Sequence, residues 1–296
     1  MTGTGAPETV GFVGLGQMGG PMAANVAAKG FDLVVFDIAV TAAPEGAKVV
    51  ASLAEAARAV DTLMLSLPDG HISVAVMTEL AGVTDRRVTT VIDLSTVGPE
   101  MARQADGIAK AAGMIYIDAP VSGGQAGARA GTVTLMWAGP QSELERHRAV
   151  LETFCKNLFH VGDDAGQGQS LKVLNNFLSG TAMAATSEAI LYGLSQGLEM
   201  KTMLDVINVS TGQNTATRDK FPERILTETF DAGFTTALIN KDIKLFLDNA
   251  DKAGTPSRVG TMISDIWDRC DAALPASDFT KIYQYIQSLT KPKSGN

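Results

Sequence analysis

Between residues 9 and 163 the runs TVGFVG, DLVVFD, DTLMLSLP, TTVIDLS, MIYIDAP and TVTLMWAG are apolar on both faces and end on Gly, Pro, Asp or Ser. A strand without a polar face must be covered on both sides, and that requirement narrows the possible folds more than any other feature of the chain. Ala-rich helical patterns, PMAANVAAKG, LAEAARAV, PEMARQADGIAKAAG and SELERHRAVLETF, stand between several of the runs. Such alternation predicts an α/β unit: a doubly wound, mostly parallel sheet with helices on both faces. After the Gly-rich acidic segment VGDDAGQG at 161–168 the texture changes. Helical patterns then run over about 168–197, 201–210, 214–227, 239–253, 257–273 and 278–289, with no further strand signal. The shift predicts two domains, an α/β domain at 1–163 and an all-helical domain at 164–296.

The first strand leads into Gly14-Leu15-Gly16-Gln17-Met18-Gly19 and then an amphipathic helix. Glycines at this spacing allow a tight turn, close backbone approach to a pyrophosphate and close packing of helix on strand. The helix N-terminus adds unpaired N–H groups and positive potential. Asp37 ends the second strand eighteen residues beyond Gly19, close to the ~20-residue offset of an acid that binds ribose hydroxyls. An acid there repels the 2′-phosphate of NADP, and no Arg or Lys follows before Lys48, so NAD is the expected cofactor. The alternatives are a glycine turn that only joins strand to helix and a solvated strand-end acid.

In GQSLKVLNNFLSG, residues 168–180, four polar side chains interrupt an apolar run. Residues three, four and seven apart share one helix face, so Lys172, Asn175, Asn176 and Ser179 form one stripe. A buried charge is costly unless paired, so the stripe either faces solvent or lines a polar cleft. The adjacent glycines of VSGG at 121–124 could open backbone N–H groups to an anion, with the Ser122 hydroxyl beside them. A plain turn after a strand is the other reading.

A net charge of −8, with basic residues scattered singly, argues against nucleic acid and anionic membrane surfaces as partners. No apolar stretch reaches the ~18 residues of a membrane span. The opening MTGTGAPET lacks the character of a signal peptide, and its first eight residues read as a flexible lead-in. Cys155 and Cys270 have no CxxC-type neighbours and read as two ordinary buried thiols in a cytoplasmic protein. His71, His147 and His160 show no metal-ligand spacing, and no metal is expected.

Gly14 to Met22, GLGQMGGPM, resembles the GLGxMGxPM signature of the β-hydroxyacid dehydrogenase family, which includes 3-hydroxyisobutyrate dehydrogenase and tartronate semialdehyde reductase. DAPVSGG at 118–124 is similar to that family's substrate-binding block, GQGQSLKVLNN at 166–176 to its catalytic block GxGxxxKxxNN, and INKD at 239–242 to its late Lys-Asp block. The resemblance implies a Rossmann-type domain, a helical second domain, and oxidation of a hydroxyl β to a carboxylate. It implies Lys172 as general acid/base and Asn176 as its hydrogen-bonding partner, with Asn175 nearby. Ser122, Gly123 and Gly124 would hold the substrate carboxylate, and Lys241 would lie over cofactor and substrate. Ser95 or Thr96 of DLSTVGP would stand beside the nicotinamide ribose, and Leu67 and Pro68 would flank the adenine half.

The chemistry is consistent with those roles. Oxidation needs a base for the hydroxyl proton, reduction needs an acid for the alkoxide, and burial beside a cationic ring loosens a lysine's hold on its proton. Family members generally dimerise or tetramerise through the helical domain, so a homodimer or homotetramer is expected. Two departures touch the substrate. Ser210-Thr211-Gly212-Gln213-Asn214-Thr215 stands where many relatives place a Trp, and Gln125 follows SGG where an apolar residue is common. Both suggest a polar wall and a hydroxylated or dicarboxylate-like substrate, although Gln125 could equally face solvent. Two other functions compete: an imine or aldehyde reductase on the same scaffold, whose imine-reducing members usually lack the lysine, and an inactive binding protein, which would be expected to lose the lysine or the glycine loop.

Overall fold

The computed structural model describes residues 9–39 and 42–290, so the lead-in at residues 1–8 lies outside the described residues. The chain divides into two compact units, Met1–Lys172 and Val173–Asn296. The expected boundary at 163/164 falls shortly before this division, which lies within one helix.

The first unit holds strands β1 (Val10–Val13), β2 (Leu33–Phe36), β3 (Lys48–Val49), β4 (Thr62–Leu65), β5 (Thr90–Asp93), β6 (Ile115–Asp118), β7 (Val121–Ser122), β8 (Val133–Ala138) and β9 (Cys155–Gly162). Its helices are α1 (Gly19–Ala28), α2 (Leu53–Ala59), α3 (Gly70–Gly82), α4 (Pro99–Ala111), α5 (Gly124–Ala130) and α6 (Gln141–Leu151). The sheet order is β3-β2-β1-β4-β5-β6-β8-β7, with β9 alongside β8. From β3 to β6 every pairing is parallel, whereas β8 runs antiparallel to β6 and β7. Five of these elements, β3, β7, β9, α3 and α5, are absent from the sequence-based expectation.

The sheet is covered as its apolar strands require. Side chains alternate, so Phe12, Met64, Ile92 and Ile117 join one buried cluster while Val13, Leu63, Leu65, Val91 and Tyr116 join another. Each such side chain contributes about 1.5–3 kcal/mol when fully buried. Helix α1 buries Gly19, Met22, Ala23 and Val26, one stripe of small and medium side chains that lets it lie close to β1. The strands feed their loops to the carboxyl edge of the sheet. In a 3-2-1-4-5-6 order the chain reverses direction between β1 and β4, where doubly wound folds bind dinucleotides.

Helix α7 (Gln167–Ser195) carries the chain across the division. The second unit continues with α8 (Met200–Ile207), a π-helix (Ala216–Ile225), α9 (Thr236–Lys252), α10 (Arg258–Ala273), a 3₁₀ turn (Phe279–Lys281) and α11 (Ile282–Ser288). Its core gathers Met183, Ile190, Leu204, Phe221, Ile239, Ile243, Ile263, Trp267 and Ile282. The stretch predicted as an ordinary helix at 214–227 is wound as a π-helix around Pro222, which has no N–H to give to an α ladder. Cys155 and Cys270 are buried free thiols, both pushed up by burial, Cys270 to about 12.

Candidate active site

The glycine loop is built by collision. Gly14 has φ +90°, and a Cβ there would strike the Ser66 carbonyl oxygen; a Cβ on Gly19 would strike the Gly14 carbonyl oxygen. Only glycine lets β1 turn into α1 this tightly. A Cβ on Gly16 would meet nothing within 4 Å, which leaves the outer side of the turn open to a ligand. No acidic residue stands in the first turn of α1, and no side chain caps it, so its N-terminal field suits an anion. Asp37 folds back onto this loop, its carboxylate accepting the Leu15 N–H at 2.6 Å and the Ala39 N–H at 2.8 Å. An open glycine cradle, a bare helix N-terminus and a carboxylate at the end of β2 fit a dinucleotide.

The next loops continue along the same edge. Leu67 is half-buried and Pro68 exposed after β4. Ser95 is buried after β5, and its hydroxyl accepts the Leu67 N–H at 2.8 Å. Ser95 is therefore engaged in joining two loops, while Thr96 is half-buried beside it. Ser122 is half-buried at the end of β7, followed by exposed Gly123 and Gly124 at the start of α5. Gln125 does not point to open space: its side-chain amide meets Gln17 of the glycine loop and accepts from Arg129 at 3.3 Å.

The start of α7 is fixed to this edge by residues that the sequence reading did not single out. Asp118, the last residue of β6, is fully buried and accepts the Gly166 and Gln169 backbone N–H groups at 2.8 and 3.0 Å and the Gln169 side-chain amide at 2.8 Å. Burial pushes its carboxyl up to about 6, against the pull of those donors. The neighbouring Asp93, in register with it on β5, is also pushed up by burial while accepting from Ser95 N–H and Tyr116 Oη. A Cβ on Gly168 would lie 2.7 Å from the Met136 carbonyl oxygen and 2.8 Å from that of Asp118. Gly168 of GQGQSLK thus serves the approach of a helix to strand ends, whereas Gly166 has φ +97° and a Cβ there would meet Arg103 and the Pro99 carbonyl oxygen of α4. Lys172 follows one turn later and is buried.

In the second unit Asn176 and Asp242 are both buried, and the Asn176 Nδ2 donates to Asp242 Oδ2 at 2.6 Å. Asn175 donates to Asn176 Oδ1 at 3.1 Å, and Lys241 Nζ lies 3.3 Å from Asp242 Oδ1. One buried carboxylate thereby meets two of the predicted site residues, Asn176 and Lys241, and a third, Asn175, joins through Asn176. Its only signal in the sequence was its place after Lys241. Lys241 also lines a hollow of about 320 Å³ on α9 with Asn240, Lys244 and Asp248.

Asn214, expected as part of a polar wall, makes hydrogen bonds within its own unit. Its Oδ1 accepts the Ala216 and Thr217 N–H groups at 2.8 and 3.1 Å, and its Nδ2 donates to Thr186 and to the Gly212 carbonyl. It caps the π-helix, and its hydrogen-bonding capacity is turned inward.

Among known proteins, residues 9–162 match the NAD binding domain of 6-phosphogluconate dehydrogenase. Residues 166–286 match the domain described as NAD-binding of NADP-dependent 3-hydroxyisobutyrate dehydrogenase. The chain is 35% identical over 266 residues to the 2-(hydroxymethyl)glutarate dehydrogenase of Eubacterium barkeri, covering 88% of each. It is 35% identical to the 3-hydroxyisobutyrate dehydrogenase of Pseudomonas aeruginosa, over 92% of this chain and 96% of that one. The solved 3-hydroxyisobutyrate dehydrogenase of Mycobacterium tuberculosis with L-serine aligns over 95% of this chain and 100% of that one, with a TM-score of 0.88 and 34% identity.

Proposed function

The chain belongs to the β-hydroxyacid dehydrogenase family, and on that premise we propose that it oxidises the CH₂OH group of a 2-substituted 3-hydroxypropanoate with NAD as acceptor. The relatives' names support this class: 3-hydroxyisobutyrate, 2-(hydroxymethyl)glutarate and L-serine each carry a CH₂OH on the carbon that bears the carboxylate. The observation that carries the reading is the carboxyl edge of the sheet, where the glycine loop, Asp37, the 95–98 loop and the anchored start of the Lys172 helix follow one another.

When bound, NAD supplies the hydride acceptor. The Gly14–Gly19 turn and the N-terminus of α1 hold its pyrophosphate, Asp37 the adenosine ribose, Leu67 and Pro68 the adenine side, and Ser95 and Thr96 the nicotinamide ribose. The preference for NAD over NADP rests on the Asp37 carboxylate, which repels a 2′-phosphate. Ser122, Gly123 and Gly124 hold the substrate carboxylate, and Lys241 adds a cation over cofactor and substrate. Neutral Lys172 takes the hydroxyl proton as the carbon gives up its hydride, leaving an aldehyde; in reverse it returns that proton to the alkoxide. Asn175 and Asn176 steady substrate and lysine. Among the described residues, exposed Leu178, Tyr192, Val206, Val209 and Met262 of the helical unit support a homodimer or homotetramer.

The test is NADH absorbance at 340 nm with 3-hydroxyisobutyrate, 2-(hydroxymethyl)glutarate, L-serine, glycerate, threonate and 3-hydroxypropionate. Lys172→Ala is expected to lower turnover about 10²–10⁴-fold while NADH binding persists. Normal turnover with the wild-type pH profile in that variant removes Lys172 from its role. Silence across the panel with NADH binding intact favours an inactive binding protein, and reduction of imines or aldehydes alone favours the reductase.

A further inference from the structure

A neutral side-chain amide offers two N–H donors and one oxygen with two lone pairs. Gln169, fully buried, spends all of them. Its Oε1 accepts the Val97 N–H at 2.9 Å and the Gly98 N–H at 3.1 Å; its Nε2 donates to the Ser95 carbonyl at 3.0 Å and to Asp118 Oδ1 at 2.8 Å. Its own backbone N–H donates to Asp118 Oδ2. One side chain thus grips the 95–98 loop through both a carbonyl and two amides, and grips the end of β6 as well. The same loop reaches the loop after β4 through Ser95 Oγ and Leu67 N–H. Lys172 lies three residues further along α7, so whatever sets the rotation of Gln169 sets that of Lys172.

We propose that Gln169 is a positioning residue: it holds the Ser95–Gly98 loop and the first turn of α7 in one register, so that the nicotinamide side of the cofactor and the Lys172 amine are placed by a common anchor. The inference rests on the reading of that loop as the nicotinamide-ribose loop and of Lys172 as proton carrier. A core amide serving stability alone would affect all ligands of the unit alike. A register anchor affects the nicotinamide end selectively.

Gln169→Glu preserves volume and can still accept from Val97 and Gly98, but it replaces the Nε2 donor by an oxygen facing the Ser95 carbonyl and the Asp118 carboxylate. Asp118→Asn in the same chain restores a donor at the Asp118 contact, with its Oδ1 left to accept the Gly166 and Gln169 N–H groups. The experiment is calorimetric titration of the full chain with NADH and with ADP, which lacks both the nicotinamide and its ribose, alongside kcat. Gln169→Glu is expected to weaken NADH at least tenfold and ADP less than threefold, with kcat at least tenfold down. Asp118→Asn with Gln169→Glu is expected to recover at least threefold in NADH affinity over Gln169→Glu alone. Parallel weakening of both ligands, unchanged NADH affinity, or a double variant no better than Gln169→Glu overturns the proposal. If Gln169→Glu does not fold, Gln169→Met, which deletes all four bonds without adding charge, is judged by the same two ligands. If the wild type binds NADH but oxidises none of the acids, the catalytic reading fails while the NADH and ADP comparison still decides the role of Gln169.

Discussion

Gly168→Ala places one methyl group where the start of α7 meets the sheet. Its Cβ would lie 2.7 Å from the Met136 carbonyl oxygen, 2.8 Å from the Asp118 carbonyl oxygen and 3.1 Å from Asp118 Cγ. Carbon and carbonyl oxygen rest at about 3.3 Å or more, so two contacts must each open by roughly 0.5 Å. Both oxygens belong to paired strands, β8 and β6, which are joined at Asp118 and Ala138. The helix start yields more easily, and the bond from Gln169 N–H to Asp118 Oδ2 lengthens with it. Overpacking costs about 1–3 kcal/mol, and losing a hydrogen bond to a charged group costs about 1.5–3 kcal/mol. With partial relaxation, about 3 kcal/mol is expected, a Tm lower by roughly 6–12 °C. Urea unfolding followed by circular dichroism should show a lower midpoint with an unchanged slope. Turnover should fall about tenfold as Lys172 shifts, while ADP affinity, which depends on the distant glycine loop, should hold. A Gly168→Ala enzyme with the wild-type midpoint and kcat would refute this account of the contact.

Three further outcomes are expected. Asp118, raised to about 6 by burial, takes up a proton on folding at a pH where the unfolded chain does not, so its contribution to stability falls as pH rises from about 4 to 6. The stability gap between wild type and Asp118→Asn should therefore be about 1 kcal/mol more favourable to wild type at pH 5 than at pH 7, read from urea midpoints; a gap independent of pH contradicts this. Asp37→Ser should lower the ratio of kcat/KM for NAD over NADP at least tenfold, and a ratio that does not move would place the discrimination elsewhere. Asp242→Leu leaves the Asn176 Nδ2 without its buried acceptor and should cost about 1–3 kcal/mol, whereas Asp242→Asn, which keeps an oxygen there, should cost less; equal effects would deny that the contact matters.

The strands that were legible are those with no polar face. β9 was not, because Lys156, Asn157 and His160 interrupt its pattern where the strand lies exposed beside β8. α3 was missed because Ile72, Val74 and Val76 weaken a helical pattern that the Asp69 cap, accepting from Ile72 N–H at 3.0 Å, secures. Lys172, Asn176 and the glycines stood out as departures from their surroundings: a charge in an apolar run, or glycine in a helix start. Gln169 and Asp118 did not, since a single amide or a strand-end acid is unremarkable in sequence. Their meaning comes from partners brought together by folding, such as Val97 and Ser95, more than seventy residues from Gln169. Asn214 has a part that its sequence context did not show. A polar residue in a polar stretch suggested a wall, and the cap it forms depends on the π-helix that follows.

The anchoring of Gln169 has a consequence for how this stretch can change over generations. Ser170 and Leu171, between the anchor and Lys172, are open to exchange for other helix-compatible residues. Their number is not. One inserted residue would turn Lys172 about 100° around the helix axis and advance it about 1.5 Å while Gln169 stayed in place. The interval from Gln169 to Lys172 therefore acts as a ruler, tolerant of spelling and intolerant of length.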